Sequence, residues 1–202
     1  MRIRIFSDFN CPFCWLGSRI IAKLREELDF QDEWLPLELH PEIPEQGSEL
    51  LDKYLQEELD GFVRTLNSRG EELGIHYAPM HKSRNSHKAL LAGEFARDNG
   101  AFHAFHQRVY VAYFTEDRDI SSDAVLKECA SDCGLDPVRM IQAVQDGRYE
   151  VRLADVKKEA KARDIQVAPT FLLDDGQRIV GAQSLPLLRE QFVAIRSGLT
   201  AL

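Results

Sequence analysis

The stretch Ser7-Asp8-Phe9-Asn10-Cys11-Pro12-Phe13-Cys14-Trp15 follows directly on Ile3-Arg4-Ile5-Phe6, a short run that reads as a strand. Beyond it, Leu16, Ile20, Leu24 and Leu28 recur at four-residue spacing with Ile21 beside them, which predicts an amphipathic helix. Cys11 then sits at a helix N-terminus, where unpaired backbone N–H groups and the helix dipole favour a thiolate. The thiolate is the reactive form of cysteine. Cys14 falls one turn later on the same face, within reach for a disulfide with Cys11. Pro12 suits the first turn, because its missing N–H would be unpaired there anyway. The stretch is built for redox chemistry, with Cys11 as the attacking thiolate and Cys14 as the buried thiol that releases the mixed disulfide.

Working outward, Arg2–Phe6 alternates apolar and charged residues as a strand does. Trp34–His40 reads as a second strand, with Pro36 at an edge or among its first residues. Pro41, Pro44 and Gly47 mark a loop. From about Ser48 to Lys161 the periodic segments are helical: Leu50–Leu73, Ser86–Asn99, Ala101–Phe114, Ser122–Cys133, Pro137–Gln145 and Arg148–Arg163. Thr170–Leu173, then Asp174-Asp175-Gly176, then Arg178-Ile179-Val180 read as a hairpin, and a last helix is expected from Leu185 to about Ser197. The predicted organisation is an α/β domain from 1–47 and 162–202, interrupted by an all-helical insertion at 48–161.

The chain has 202 residues, enough for one sizeable core or a domain with an insertion. Its net charge of −8 and the lack of a basic stripe argue against a nucleic-acid partner. No apolar run approaches the roughly 18 residues of a membrane span. The N-terminus opens at once on strand and motif, which leaves no room for a signal peptide and leads to the expectation of a cytoplasmic protein. Four cysteines in such a compartment read as catalytic, metal-binding or buried. A monomer and a homodimer are equally compatible with the sequence.

Four segments carry a family resemblance. They are Asp8-Phe9-Asn10-Cys11-Pro12-Phe13-Cys14-Trp15, Asn85-Ser86-His87-Lys88-Ala89-Leu90, Phe105-His106-Gln107 through Tyr113-Phe114 with Arg118-Asp119-Ile120, and Val167-Ala168-Pro169-Thr170-Phe171. With them the chain resembles the DsbA-like thioredoxin superfamily, in the cytoplasmic branch of FrnE-like oxidoreductases. The resemblance implies a thioredoxin fold, a central mixed sheet flanked by helices with a helical insertion. It also implies a cis peptide between Ala168 and Pro169 opposite the cysteines, with the backbone before Pro169 offered to a bound peptide. Strongly oxidising members of the family carry a histidine beside the second cysteine. Phe13 stands there instead, which implies a milder oxidant, a reductase or an isomerase, with the direction of electron flow open.

Phe13, and Trp15 after the pair, are expected as exposed substrate contacts beside Pro12, because the motif must face outward to react. No resident cofactor or metal is expected. The partners would be protein or small-molecule thiols and disulfides. One rival is a glutathione-dependent isomerase similar to the hydroxychromene-carboxylate isomerases; those carry serine in place of the first cysteine, so Cys11 argues against it. Asn85 and Ser86 could still hold glutathione or another small thiol. Another rival is a redox-sensing protein that does not turn over.

A zinc site would need a second pair of ligands at comparable spacing. The other two cysteines, Cys129 and Cys133, lie four apart on one helical face among Val125, Leu126 and Ala130. They read as core residues rather than a second redox pair. His103 and His106 share a face without a third ligand and read as packing or surface groups. The cluster of Phe95, Phe102, Phe105, Tyr110, Tyr113 and Phe114 reads as the core of the insertion.

Overall fold

A computed structural model describes residues 1–196. β1 (Arg2–Ser7) lies inside a four-stranded sheet of order β2-β1-β5-β6. β2 (Gln31–Pro36) runs parallel to it, with Trp34 opposite Ile5. β5 (Thr170–Leu173) runs antiparallel on the other side, with Phe171 opposite Ile5, and β6 (Arg178–Val180) closes the hairpin. A parallel pair needs a crossover, and α1 (Pro12–Glu27) supplies it. The hairpin turns at Gly176, whose φ of 84° lies where a side chain would be strained.

The period of two along the strands sorts residues onto two faces. Ile3 and Ile5 join Phe171 and Leu173 in a core shared with α1 and with Leu188 and Phe192 of α8 (Leu185–Arg196). Phe6, Leu35 and Leu172 point the other way, onto Val156 and Ala160 of α7 (Glu150–Ala162). Arg4 shares that second face and donates to Glu159 of α7 at 2.8 Å and to Glu33 at 3.0 Å. The Arg4 hydrogen bond pulls the Glu159 carboxyl down to about 2.

Between β2 and β5 come α2 (Gln56–Gly70), α3 (His87–Asp98), α4 (Phe102–Tyr110), α5 (Asp123–Asp132) and α6 (Pro137–Gln145). Residues Ala89–Ala96 of α3 are all buried, as expected of a helix enclosed by others. Asp136 caps α6 by accepting from the N–H groups of Val138 and Arg139, with Pro137 in the first turn, so the Asp-Pro start signal acts as predicted. One large core runs from Ile5 and Trp15 through Leu66 and Phe105 to Leu126 and Met140, so the sheet and the helices within 48–161 share one interior.

Several boundaries differ from the sequence expectation. The second strand is Gln31–Pro36, not Trp34–His40. Pro36 is its last residue, and beyond it the Leu39 N–H turns to the Asp8 carboxylate at 2.8 Å. The helix expected from Leu50 starts at Gln56, after a single 3₁₀ turn at Leu50–Asp52. A two-residue ribbon of β3 (Ser48–Glu49) and β4 (Lys82–Ser83) had no sequence signal. The helix expected over Ala101–Phe114 passes into a wider π-helical turn at Val111–Thr115. Ser197 and the rest of the predicted C-terminal end lie outside the described residues.

Candidate active site

Cys11 is the N-cap of α1, in extended conformation at φ −94° and ψ 112°. Its N–H is tied back to the Asp8 carbonyl at 3.1 Å, which fixes the turn from strand into helix. Both cysteines are buried, but Cys11 keeps 9% of its surface and Cys14 keeps none, so Cys14 lies the deeper of the two. Both thiols are free. The Cys11 thiol donates to the Ala168 carbonyl at 3.3 Å, and the Ala168–Pro169 peptide is cis. Gly17 lets α1 approach this segment closely: a Cβ there would stand 3.2 Å from Pro169 Cγ and 3.5 Å from Phe171 Cζ.

Burial, and then Cys11 beside it, push the Cys14 thiol well above its ordinary range. Hydrogen bonding by the Asp8 backbone and the Ser7 side chain pulls against that rise. Ser7 Oγ is 3.0 Å from Tyr110 Oη, and Tyr110 donates to the Asp8 carbonyl at 3.2 Å. The Asp8 side chain is fully buried and turned elsewhere. It accepts from the N–H groups of Asn10 at 3.1 Å and Leu39 at 2.8 Å, and from Ser86. Burial still raises its pKa. Tyr77 donates to the Pro12 carbonyl at 2.8 Å, pinning the first turn of α1 from the helical layer.

Beside the motif opens a groove of about 470 Å³. Pro12, Phe13 and Asn10 line one wall; Leu59 and Phe62 of α2, with Tyr54 and Met80, line much of the rest. Phe13 meets Phe62 edge-on at 5.8 Å, and the Arg69 guanidinium lies 5.5 Å over its ring. Asn10 exchanges hydrogen bonds with Ser83 at 3.2 Å and accepts from Tyr113 at 3.1 Å.

Trp15 corrects the expectation of an exposed contact. It is 1% exposed, stacked on Phe114 at 5.8 Å and edge-on to Tyr77 at 4.7 Å. The start of α1 is enclosed by the sheet on one side and the helical layer on the other, so only Pro12 and Phe13 show at the rim. Asn85 and Ser86 do open α3, but both side chains bond within the fold. Asn85 donates to the Ile43 carbonyl at 2.7 Å and accepts from the His87 N–H at 2.9 Å, while Ser86 is buried on Asp8. Neither lines the groove. The α2 residues and Asn10, which do, carried no signal beyond apolar periodicity and a place in the motif.

The other cysteines lie apart from this site, Cys129 buried within α5 and Cys133 half-buried as its C-cap. Burial pushes the Cys129 thiol up to about 11. His106 is buried among Phe102, Trp34, Phe9 and Tyr110, and burial holds its pKa well below the usual value. His103 stays at the surface, 3.8 Å from Asp32. Among the described residues no three His, Cys, Asp or Glu side chains are grouped to hold a metal. No described helix is long and apolar enough to cross a membrane.

Two cysteines at the start of the first helix of a mixed sheet, facing a cis-proline segment, are laid out as in a thioredoxin fold. The chain belongs to the DSBA-like thioredoxin domain family, which it matches over residues 2–193. In sequence it is 27% identical to the uncharacterized protein YwbO of Bacillus subtilis (strain 168) over 178 residues, 87% of this chain and 88% of that one. In structure it is similar to a probable DsbA oxidoreductase from Streptomyces coelicolor (TM-score 0.91, 21% identity, 100% of this chain and 92% of that one). It is also similar to a 2-hydroxychromene-2-carboxylate isomerase, with TM-score 0.80, 17% identity and 100% of both chains covered. A third likeness is to the cytosolic disulfide reductase DsbM of Pseudomonas aeruginosa with GSH, with TM-score 0.70, 17% identity, 98% of this chain and 100% of that one. At these identities the structural likenesses speak for the fold.

Proposed function

We propose that the protein is a dithiol–disulfide oxidoreductase of the FrnE-like branch, acting in the cytoplasm on thiols and disulfides. The Cys11 thiolate attacks one sulfur of a substrate disulfide and expels the other as a thiolate, leaving a mixed disulfide on Cys11. Cys14 then attacks the Cys11 sulfur, a Cys11–Cys14 disulfide forms, and the remaining half of the substrate leaves as a thiol. Two electrons pass to the substrate, and two molecules of a small thiol such as glutathione return the pair to the dithiol state and leave joined as their own disulfide. The observation that carries this reading is the placement of the two cysteines: Cys11 as the N-cap of α1 with its thiol on the carbonyl before Pro169, and Cys14 fully enclosed one turn behind it. Pro12 and Phe13 at the rim, and the Ala168 carbonyl before Pro169, are the substrate contacts.

The test is insulin-disulfide reduction with Cys11→Ser and Cys14→Ser. Cys11→Ser should abolish turnover, whereas Cys14→Ser should accumulate covalent mixed disulfides. A fully active Cys11→Ser protein would refute the assignment. A single stoichiometric burst from the wild-type protein, without turnover, would favour a redox sensor.

A further inference from the structure

The charged side chains that line the groove beside Phe13 are His40, Glu58 and Lys82, and all three are occupied within the fold. Lys82 pairs with Glu49 at 3.0 Å and His40 with Glu42 at 2.9 Å. Glu58 accepts from the Leu55 N–H at 2.8 Å at the start of α2. Arg69, in the last turn of α2, differs: it is exposed and forms no ion pair among the described residues. Its guanidinium lies 5.5 Å over the Phe13 ring and donates to the Ala182 carbonyl. Ala182 follows Gly181, whose N–H donates to the Pro169 carbonyl at 2.8 Å. Arg69 therefore reaches from the dithiol motif to the cis-proline segment. Cys11 sits between these two sides, its thiol on the Ala168 carbonyl at 3.3 Å.

We propose that Arg69 is a specificity-determining residue, selecting small disulfides that carry a carboxylate a few bonds from the sulfur. The proposal rests on the oxidoreductase reading above and names its substrate class. A guanidinium presents five N–H donors in a planar fork, and Ala182 takes one, which leaves the others for a carboxylate. Contact with the Phe13 ring and the bond to Ala182 hold the fork in place before a substrate arrives, so little freedom is lost on binding. The groove of about 470 Å³ has room for a small molecule.

The net charge of −8 repels an anion at long range, so a local cation decides whether an anionic disulfide settles at Cys11. With its carboxylate on Arg69, the substrate is held with a sulfur near Cys11. Attack forms the bond from Cys11 to that sulfur and breaks the substrate S–S bond, and the other half leaves as a thiolate. Cys14 then displaces the retained half as a second thiolate, so two electrons pass from the dithiol to the substrate.

The experiment follows the loss of thiols from the reduced full chain, by acid quench, alkylation and mass spectrometry, with two alkyl disulfides. One is 3,3′-dithiodipropionate, a dianion; the other is cystamine, a dication. In Arg69→Gln the rate with 3,3′-dithiodipropionate should fall about fivefold, while the rate with cystamine should rise. Arg64→Gln removes the same charge from α2 about 140° around the helix, and should leave the ratio of the two rates at its wild-type value. If Arg69→Gln does not fold, Arg69→Met, which keeps an apolar stem beside Phe13, decides in its place. An equal change with both disulfides would make Arg69 a mere support for Phe13 and Ala182, and overturns the proposal. So does a shift of the ratio in Arg64→Gln as large as that in Arg69→Gln. A wild-type protein that loses its thiols to neither disulfide would overturn the oxidoreductase reading itself.

Discussion

The chain carries two closely spaced pairs of cysteines, and the contrast between them shows what makes a thiol reactive. Cys11 and Cys14 stand at the start of α1; Cys129 and Cys133 stand at the end of α5. At a helix N-terminus the free N–H groups and the positive dipole end stabilise a thiolate, while at a C-terminus the carbonyls and negative end oppose one. The local charges add to the difference. Burial raises both Cys129 and Cys133, and the Asp132 carboxylate raises them further. Arg108 pulls the other way, but it is bound to Asp132 at 2.7 Å and to Glu116 at 3.2 Å. Cysteine spacing alone would rank the two pairs as near equals; the helix end separates them.

The largest effect expected from this contrast is in alkylation. With a thiol at about 11, Cys129 should be ionised in only about one molecule in 10⁴ at pH 7. Iodoacetamide at pH 7, read by peptide mass spectrometry, should therefore leave Cys129, whose thiol is almost wholly protonated there, far behind Cys11. Labelling of Cys129 should climb about tenfold per pH unit until pH approaches its value of about 11. Comparable rates at pH 7 would break the comparison.

Next is Gly17→Ala. An alanine inside a helix ordinarily stabilises by about 1 kcal/mol over glycine. Here its Cβ meets Pro169 Cγ at 3.2 Å, so that gain should be lost, and the Cys11 reaction with a disulfide should slow about fivefold as the Pro169 segment is pushed off. A more stable variant with unchanged kinetics would show that the close approach is dispensable.

Asp132→Asn should have a smaller effect. Removing a charge that raises both thiols, and freeing Arg108, should shift the Cys133 labelling profile to lower pH and speed it about threefold at pH 7. The smallest effect belongs to Cys129→Ser with Cys133→Ser, which should leave insulin reduction within about twofold of wild type. A larger loss in a folded protein would make the second pair a redox partner of the first.

Much of this site could be read from the sequence because local signals and fold agree there. The strand Ile3–Phe6, the proline after Cys11 and the apolar spacing from Leu16 to Leu28 all point to the same strand-to-helix turn. The hairpin was legible from Asp174-Asp175-Gly176 for the same reason. Trp15 was misread because its burial depends on residues far along the chain: Tyr77, Tyr110 and Phe114 enclose it. The second strand slipped because Leu35, Leu37 and Leu39 alternate through Pro36, whereas pairing with β1 ends at Ser7 opposite Pro36. The groove walls on α2 resembled any amphipathic face until Phe13 was seen against Phe62. Asn85 and Ser86 were placed correctly at the head of α3, but the bonds that occupy their side chains come from Ile43 and Asp8, which no local pattern foretells.

The π-helical turn at Val111–Thr115 has a consequence for how this chain can diverge. Glu116 N–H bonds to the carbonyl of Val111, five residues back, so the turn holds one residue more than an α-helix would. Losing that residue would rotate the following side chains by about 100° and turn either Tyr113 from Asn10 or Phe114 from Trp15. A single-residue gap at this point in a homologous chain would thus mark a lineage whose wall behind the cysteines has been rebuilt, even where Cys-Pro-Phe-Cys itself is unchanged.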